Sequence, residues 1–120
     1  MKYSRNYEKK QAILRELRNY RGNKLLFKKY KNIIEHGENN SMNYNLERCR
    51  KDLIRVECNI KFVLNMIQAV PQENRELILD VFIRDNLTQE EILDKHDLTV
   101  ALLHYYTDKV ATKLADMDIV

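Results

Sequence analysis

The amino-acid sequence predicts an all-α fold of about six helices arranged around one long central helix. Its 120 residues include two glycines, one proline and no tryptophan, a composition that favours helices over a sheet protein with many turns. Apolar residues also recur at steps of three and four along most of the chain, which is the spacing of one helix face. A chain of this length has room for one domain with a modest core.

Two helices are predicted before the first loop. An apolar stripe at helical spacing predicts a helix over residues 4–21, and Gly22 supplies a C-terminal stop. A second helix is predicted over residues 24–36, again followed by a glycine, Gly37. The polar segment 37–45 is rich in residues that bond their own backbone, and it predicts an exposed loop.

The longest apolar row runs from Leu46 to Val70 and predicts the central helix. Eight apolar residues alternate there at steps of three and four, and a second apolar row lies beside them. No glycine or proline interrupts the stretch before Pro71. Two interpretations remain open: a core helix packed inside one chain, or a self-association seam with heptad packing. The second apolar row favours a core helix that contacts neighbours on two sides.

Three more helices are predicted after the proline. Residues 72–83 carry apolar side chains in helical register. The stretch Thr-Gln-Glu-Glu that begins at Thr88 has the form of a capping box and predicts the start of a short helix over residues 89–96. Thr99 then predicts the N-cap of a last helix over residues 100–117.

The net charge of +3 is distributed unevenly along the chain. Up to Lys31, eleven lysines and arginines face two glutamates. From Pro71 onward, five basic residues face eleven acidic ones. The sequence therefore has a basic head and an acidic tail.

Several classes of protein do not fit this sequence. No stretch approaches the roughly 20 apolar residues that cross a bilayer, and the N-terminus has no signal-peptide core, so we expect a cytoplasmic protein with no membrane partner. The sequence contains no glycine-rich phosphate loop, no nucleophile elbow and no metal-ligand spacing. We therefore expect no enzyme activity, no cofactor and no metal.

The C-terminal spacing is that of a helix-turn-helix. In DNA-binding proteins, a short helix, a three-residue turn and a longer helix place the second helix in the major groove. An ordinary helical hairpin has the same spacing and remains an alternative.

Motifs between residues 70 and 116 carry a family resemblance. They read Pro-x-x-x-Arg-x-x-Ile, Leu-Thr-x-x-Glu-Ile-Leu and Thr-x-x-x-x-x-Tyr-Tyr, followed by Lys-Leu-Ala. This stretch resembles the sigma-factor region-four helix-turn-helix. The order of elements along the whole chain resembles the RinA/ArpU-type late-gene transcriptional regulators of phages that infect Gram-positive bacteria.

The resemblance implies a transcriptional regulator in the cytoplasm of a bacterial host cell, with double-stranded promoter DNA as its partner. It also implies contact with host RNA polymerase and a homo-oligomer. Residues 1–70 would supply the basic N-terminal helices and the central helix, and residues 71–120 the sigma-like helix-turn-helix region, together forming one compact unit.

The resemblance also assigns a recognition helix, which starts after Thr99. The residues that it places at the DNA are Thr99, Val100, Ala101, Leu103, His104, Thr107, Lys109 and Lys113. The leading positions here are apolar, where members of the family usually carry Arg, Lys, Ser or Asn. Phosphate neutralisation and bidentate base contacts supply most affinity and specificity, and an acidic module with an apolar leading turn offers little of either. An equally natural use of this helix is contact with another protein through Leu102, Leu103, Tyr105 and Tyr106.

The basic head is the better electrostatic candidate for a DNA interface. Its cations are interleaved with tyrosines that can pack or stack. The candidate residues are Arg5, Lys9, Arg15, Arg18, Lys24, Lys28, Lys29 and Lys31. A solvated helix face remains the alternative, and a contact with the acidic tail would consume the charge. The main rival function is a small helical adaptor or inhibitor that binds a host protein without reading DNA.

Overall fold

The computed structural model describes residues 4–37 and 46–117, and every regular element in these ranges is helical. The five α-helices are α1 (Ser4–Gly37), α2 (Leu46–Gln68), α3 (Gln72–Ile78), α4 (Gln89–His96) and α5 (Val100–Asp116). Helix α3 continues directly into one π-helical turn, Leu79–Ile83, which we call the π turn. The all-α prediction is confirmed for these residues. The predicted loop over residues 37–45 lies almost wholly outside them.

The two helices predicted on either side of Gly22 form one continuous helix, α1. Gly22 does not adopt the left-handed conformation of a helix stop, because none of the described glycines has a positive φ. A glycine inside a helix costs about 1 kcal/mol relative to alanine. Packing of α1 against α2, α5 and the π turn outweighs that cost. The boundary predicted at Gly22 is therefore absent, which reduces the predicted six helices to five.

Helix α2 begins at the predicted residue and ends two residues before Val70. Five of the eight residues in its apolar row are buried inside this one chain: Val56, Ile60, Val63, Ile67 and Val70. The row is thus occupied by intramolecular packing over its second part, as the core-helix interpretation expects. In the first part, Leu46, Cys49 and Leu53 are half-buried.

Helix α1, rather than α2, makes the most extensive contacts with other helices. It packs against α2, α5 and the π turn. At 1.5 Å per residue its 34 residues extend about 51 Å, close to the longest dimension of the molecule, 52 Å. The fold is therefore organised along α1, which carries most of the basic head.

The main hydrophobic core joins three helices and the end of α3. Its buried residues come from α1 (Ile13, Leu14, Leu17, Tyr20), α2 with the turn that follows it (Val56, Ile60, Val63, Met66, Ile67, Val70), α3 (Ile78) and α5 (Val110, Ala111, Leu114, Ala115). A smaller core consists of Leu77, Ile92 and Leu103. Helix α5 belongs to both cores, so its second half is anchored against α1 while its first half is held by α3 and α4.

The turn between α2 and α3 is stabilised by Arg75. Its Nη2 donates to the carbonyl oxygens of Gln68 and Val70, each at 3.1 Å. Gln68 is the last residue of α2 and Val70 lies in the turn after it, so neither carbonyl has a partner inside the helix. Pro71 sits at the N-cap of α3, where the missing N–H is tolerated. The Pro-x-x-x-Arg motif thus has a local structural role here.

Within the described ranges, no helix combines the length and the apolar character needed to cross a bilayer.

Candidate functional site

Helices α4 and α5 both begin at a threonine cap. Thr88 Oγ1 accepts a hydrogen bond from the Glu91 N–H at 3.2 Å, and Glu91 Oε1 accepts one from the Thr88 N–H at 2.9 Å. The predicted capping box is therefore confirmed. These bonds from the Thr88 backbone and hydroxyl hold the pKa of Glu91 below its ordinary value. At α5, Thr99 Oγ1 accepts from the Leu102 N–H at 3.2 Å.

A tight turn connects the two helices. Asp97 ends α4 in the left-handed conformation with φ 53°, which reverses the chain direction without glycine. Leu98 and Thr99 follow, and Leu98 packs against the smaller core. The predicted order of short helix, three-residue turn and longer helix is thus present.

The structure places the eight predicted recognition-helix residues on different sides of α5. Thr99, Val100, Ala101, His104, Lys109 and Lys113 are exposed. Leu103 is only 6 % exposed and packs in the smaller core. Thr107 is buried, and its hydroxyl donates to the His104 carbonyl at 3.1 Å. Neither Leu103 nor Thr107 can present its side chain to a groove.

The outer face of α5 includes two large side chains that the predicted set omitted. Leu102 is 42 % exposed and Tyr105 is 58 % exposed. They lie three residues apart and therefore share one face. Lys109 and Lys113 continue this face by helical spacing. This outer face could have been identified from the sequence, because it lies opposite Leu103, Val110 and Leu114, which recur at helical spacing.

Most of the predicted cations of the basic head are solvent-accessible. Arg15, Arg18, Lys24, Lys28, Lys29 and Lys31 are exposed, and Lys9 is half-buried. The side chain of Arg5 lies outside the part of the molecule that is described. Helical spacing sorts the exposed cations into two rows, one with Lys24, Lys28 and Lys31 and one with Arg15, Arg18 and Lys29.

The basic head also contacts the acidic tail within the chain. Lys10 Nζ forms an ion pair with Asp108 Oδ1 at 2.8 Å, and Asn6 Nδ2 donates to Asp116 Oδ1 at 3.1 Å. Both contacts join α1 to the second half of α5. They engage Lys10 and Asn6, which were not among the predicted interface residues.

An ionic cluster around one buried carboxylate, which the sequence did not reveal, lies at the π turn. Asp80 is 1 % exposed. Its Oδ1 binds Arg84 Nη1 at 3.1 Å, and its Oδ2 binds Lys95 Nζ at 2.9 Å and His96 Nε2 at 2.7 Å. Arg84 Nη1 also binds Glu76 Oε2 at 2.6 Å. We call Glu76, Asp80, Arg84, Lys95 and His96 the Asp80 cluster.

Two opposing effects set the pKa of Asp80. Burial raises it, but the hydrogen bonds from Lys95, His96 and Arg84 outweigh burial and lower it to about 2. The hydrogen bond and charge of Arg84 lower the pKa of Glu76 as well. Both carboxyls are therefore ionised at neutral pH, and their charges are compensated locally.

Helix α1 is connected to this cluster through Arg21. Its Nη2 donates to the carbonyl oxygen of Asp80 at 3.1 Å and also to that of Arg84. These carbonyls belong to the end of the π turn, where helical partners are missing. Together, Arg21 and the Asp80 cluster link α1, the π turn and α4. They therefore fix the position of α4, and with it the position of α5.

Two concave regions lie near the cluster. One of about 320 Å³ is bordered by His96, Leu98 and Tyr106 among others. The other, of about 260 Å³, lies between α1 and the π turn and carries several cations. Within the described residues, no group of three His, Cys, Asp or Glu side chains is placed to hold a metal ion.

Comparisons with known proteins found no matching family model, no matching curated protein and no matching solved structure.

Proposed function

We propose that this protein is a transcriptional regulator of phage or prophage type that binds double-stranded promoter DNA. In this proposal the cations of α1 contact the phosphate backbone, and the outer face of α5 approaches a groove. The observation that carries the proposal is the exposure of six cations along one continuous helix. They form two rows on opposite sides of α1, and the longer row, from Arg15 to Lys29, extends about 21 Å, which is about six base-pair steps of duplex.

The local pairing of acidic residues supports this electrostatic argument. Asp80 and Glu76 are compensated by Arg84 and its neighbours, and Asp108 is paired with Lys10. Three of the eleven acidic residues of the tail are thereby compensated at short range, one of them by a cation of α1. The exposed cations of α1 then contribute a net attraction for phosphate, which is strongest at low ionic strength.

A salt series tests DNA binding directly. Affinity for a random duplex and for a promoter fragment is measured at increasing salt. We expect the logarithm of the association constant to fall linearly with the logarithm of salt, by about 0.9 for each phosphate contacted. An absence of measurable affinity even at the lowest salt concentration would refute the proposal.

The exposed apolar face of α5 favours a second candidate function. Leu102, Tyr105 and Val100 offer apolar surface that duplex DNA uses poorly but that a protein partner buries well. An adaptor or inhibitor that binds a host protein, such as host RNA polymerase, would use this face. Capture from a bacterial lysate after nuclease treatment separates the candidates, because a direct protein partner persists and a DNA-dependent one disappears.

Self-association belongs to the first proposal and has its own measurement. A regulator that binds a two-fold symmetric site does so as a dimer. Since the second part of the α2 apolar row is buried inside the chain, a dimer must use other surfaces. Sedimentation with and without duplex DNA gives the mass of each species, and a monomer in both conditions would exclude the oligomer.

A further inference from the structure

The cleft between α1 and the π turn combines positive charge with apolar walls. Tyr20, Arg21, Lys24, Leu25 and Lys28 line it from α1. Ile83 and Asp85 line it from the π turn and the residues after it. Its volume is about 260 Å³, which is larger than a single phosphate group requires. The cleft is therefore open to a phosphate that carries an organic substituent.

Three cations of the cleft share one face of α1. Arg21, Lys24 and Lys28 lie three and four residues apart, which places them side by side along the helix. Within the described residues neither Lys24 nor Lys28 forms an ion pair. Asp85 is the acidic residue that lines the cleft, so positive charge exceeds negative charge there.

The charge of Arg21 is held in place before any ligand binds. Its guanidinium donates to the carbonyl oxygens of Asp80 and Arg84. The nearby carboxylate of Asp80 is itself compensated by Arg84 and Lys95. A fixed guanidinium beside two adaptable ammonium groups is a preorganised arrangement for an anion. The half-buried side chain of Ile83 adds an apolar wall beside these charges.

We propose that this cleft binds a phosphate group, either that of the nucleic-acid backbone or that of a free phosphate compound. Lys24 and Lys28 contact the phosphate oxygens, and Arg21 supplies fixed positive charge at the base of the cleft. Tyr20 and Leu25 pack against the organic part next to the phosphate. Binding of the nucleic-acid backbone rests on the proposed function, whereas binding of a free phosphate compound does not.

Nuclear magnetic resonance of the full-length, isotope-labelled chain locates the binding site. Inorganic pyrophosphate and a random duplex are added in separate titrations. The proposal predicts amide shifts that concentrate at Lys24, Leu25, Lys28 and Asp85. If the duplex causes these shifts, the ligand is the nucleic-acid backbone. If pyrophosphate alone causes them, the ligand is a free phosphate compound. Shifts at neither, or shifts spread evenly over all lysines of α1, overturn the proposal.

Charge-removing variants give a quantitative test with a matched control. Lys24→Gln combined with Lys28→Gln should weaken pyrophosphate binding about tenfold, since each exposed charge pair contributes up to about 1 kcal/mol. Lys51→Gln combined with Lys61→Gln removes the same charge from the exposed surface of α2 and should leave pyrophosphate binding within about twofold. Equal losses for the two variants would show that no cleft is involved.

Asp85→Asn is an independent variant that should change the affinity for pyrophosphate in the opposite direction. Removing its negative charge from the rim of the cleft should tighten pyrophosphate binding about threefold. Unchanged or weaker binding contradicts the assigned position of the phosphate. If pyrophosphate binds at the cleft while duplex DNA does not bind anywhere, the proposed function fails and the phosphate site stands.

Discussion

Asp80 and His96 are sixteen residues apart in sequence, and a 2.7 Å hydrogen bond joins Asp80 Oδ2 to His96 Nε2. The same carboxylate binds Arg84 and Lys95. One buried acid thus connects the π turn to the last turn of α4. Because α4 and the turn after it position α5, this bond links the long helix α1, through Arg21, to the face that α5 presents.

The pH dependence of stability follows from the lowered pKa of Asp80, which is about 2 in the fold and 3.8 without it. A carboxyl with a depressed pKa stabilises the fold above its unfolded pKa, and this contribution is lost as pH falls through the folded pKa. The contribution is about 2 kcal/mol. We expect the free energy of unfolding, measured with urea, to fall between about pH 4 and pH 2.

Asp80→Asn is the variant that isolates this effect. It should destabilise the protein at neutral pH by about 2 kcal/mol, because Arg84 and Lys95 lose the carboxylate charge that they contact. Its loss of stability between about pH 4 and pH 2, relative to its own value at higher pH, should be smaller than that of the wild type. Asp94→Asn, on the exposed surface of α4, serves as the control and should behave like the wild type. If the stability of Asp80→Asn falls with pH in parallel with that of the wild type, another group causes the acid sensitivity.

Gly22→Ala should stabilise the protein by about 1 kcal/mol. Gly22 lies inside α1, it is exposed, and an added Cβ would meet no atom within 4 Å. Alanine therefore gains helix propensity without a steric penalty. Thermal and urea unfolding measure the change, with Asn19→Ala as a propensity control on the same helix. Destabilisation instead would indicate that the chain turns at Gly22, as the sequence alone suggested.

Local signals explain which parts of the fold the sequence predicted. The caps at Thr88 and Thr99 depend on neighbours within three residues, and both were predicted at the correct positions. Whether a glycine ends a helix depends on the packing of the segments on both sides of it. The helix end predicted at Gly22 was therefore wrong, because both segments pack as one helix. The apolar row of α2 was visible, but its use inside one chain required the partner surfaces of α1.

Candidate site residues were less predictable for a related reason. The members of the Asp80 cluster each look like solvated helix charges, because the residues that compensate Asp80 come from two separate elements. Leu103 and Thr107 were assigned by resemblance to a recognition helix rather than by the inward period of α5. The exposure of most of the α1 cations follows from a simple rule, since charged side chains on a helix away from the core remain in solvent. Their role at DNA stays a prediction.

Leu103→Ala and Leu102→Ala form a matched pair that tests the orientation of α5. Leu103 is buried against Leu77 and Ile92, so its truncation should cost about 3 kcal/mol. Leu102 is 42 % exposed, and its truncation should cost less than about 1 kcal/mol. Urea unfolding of both variants measures the difference. Similar costs for the two would mean that α5 is rotated from the position described.

Thr88→Ala should destabilise the protein by about 1 kcal/mol through loss of the cap at α4. Thr88→Ser retains a hydroxyl acceptor and should recover most of this loss. Since the Thr88 hydroxyl also helps to lower the pKa of Glu91, that pKa should rise toward its ordinary value in Thr88→Ala. Carboxyl chemical shifts followed against pH measure it. An unchanged Glu91 titration would contradict the contribution of the Thr88 hydroxyl and leave the backbone N–H as the group that lowers the pKa.

Two sets of variants separate backbone contact from base contact under the proposed function. Lys28→Glu with Lys29→Glu should weaken binding to every duplex by a similar factor and should reduce the salt slope by about 0.9 for each phosphate that is no longer neutralised. His104 is exposed in the first turns of α5, so His104→Ala should instead change the order of affinities among duplex sequences. Competition binding at fixed salt, with promoter and random duplexes, measures both effects. If the lysine variants change sequence ranking and His104→Ala does not, α1 rather than α5 is the element that reads bases.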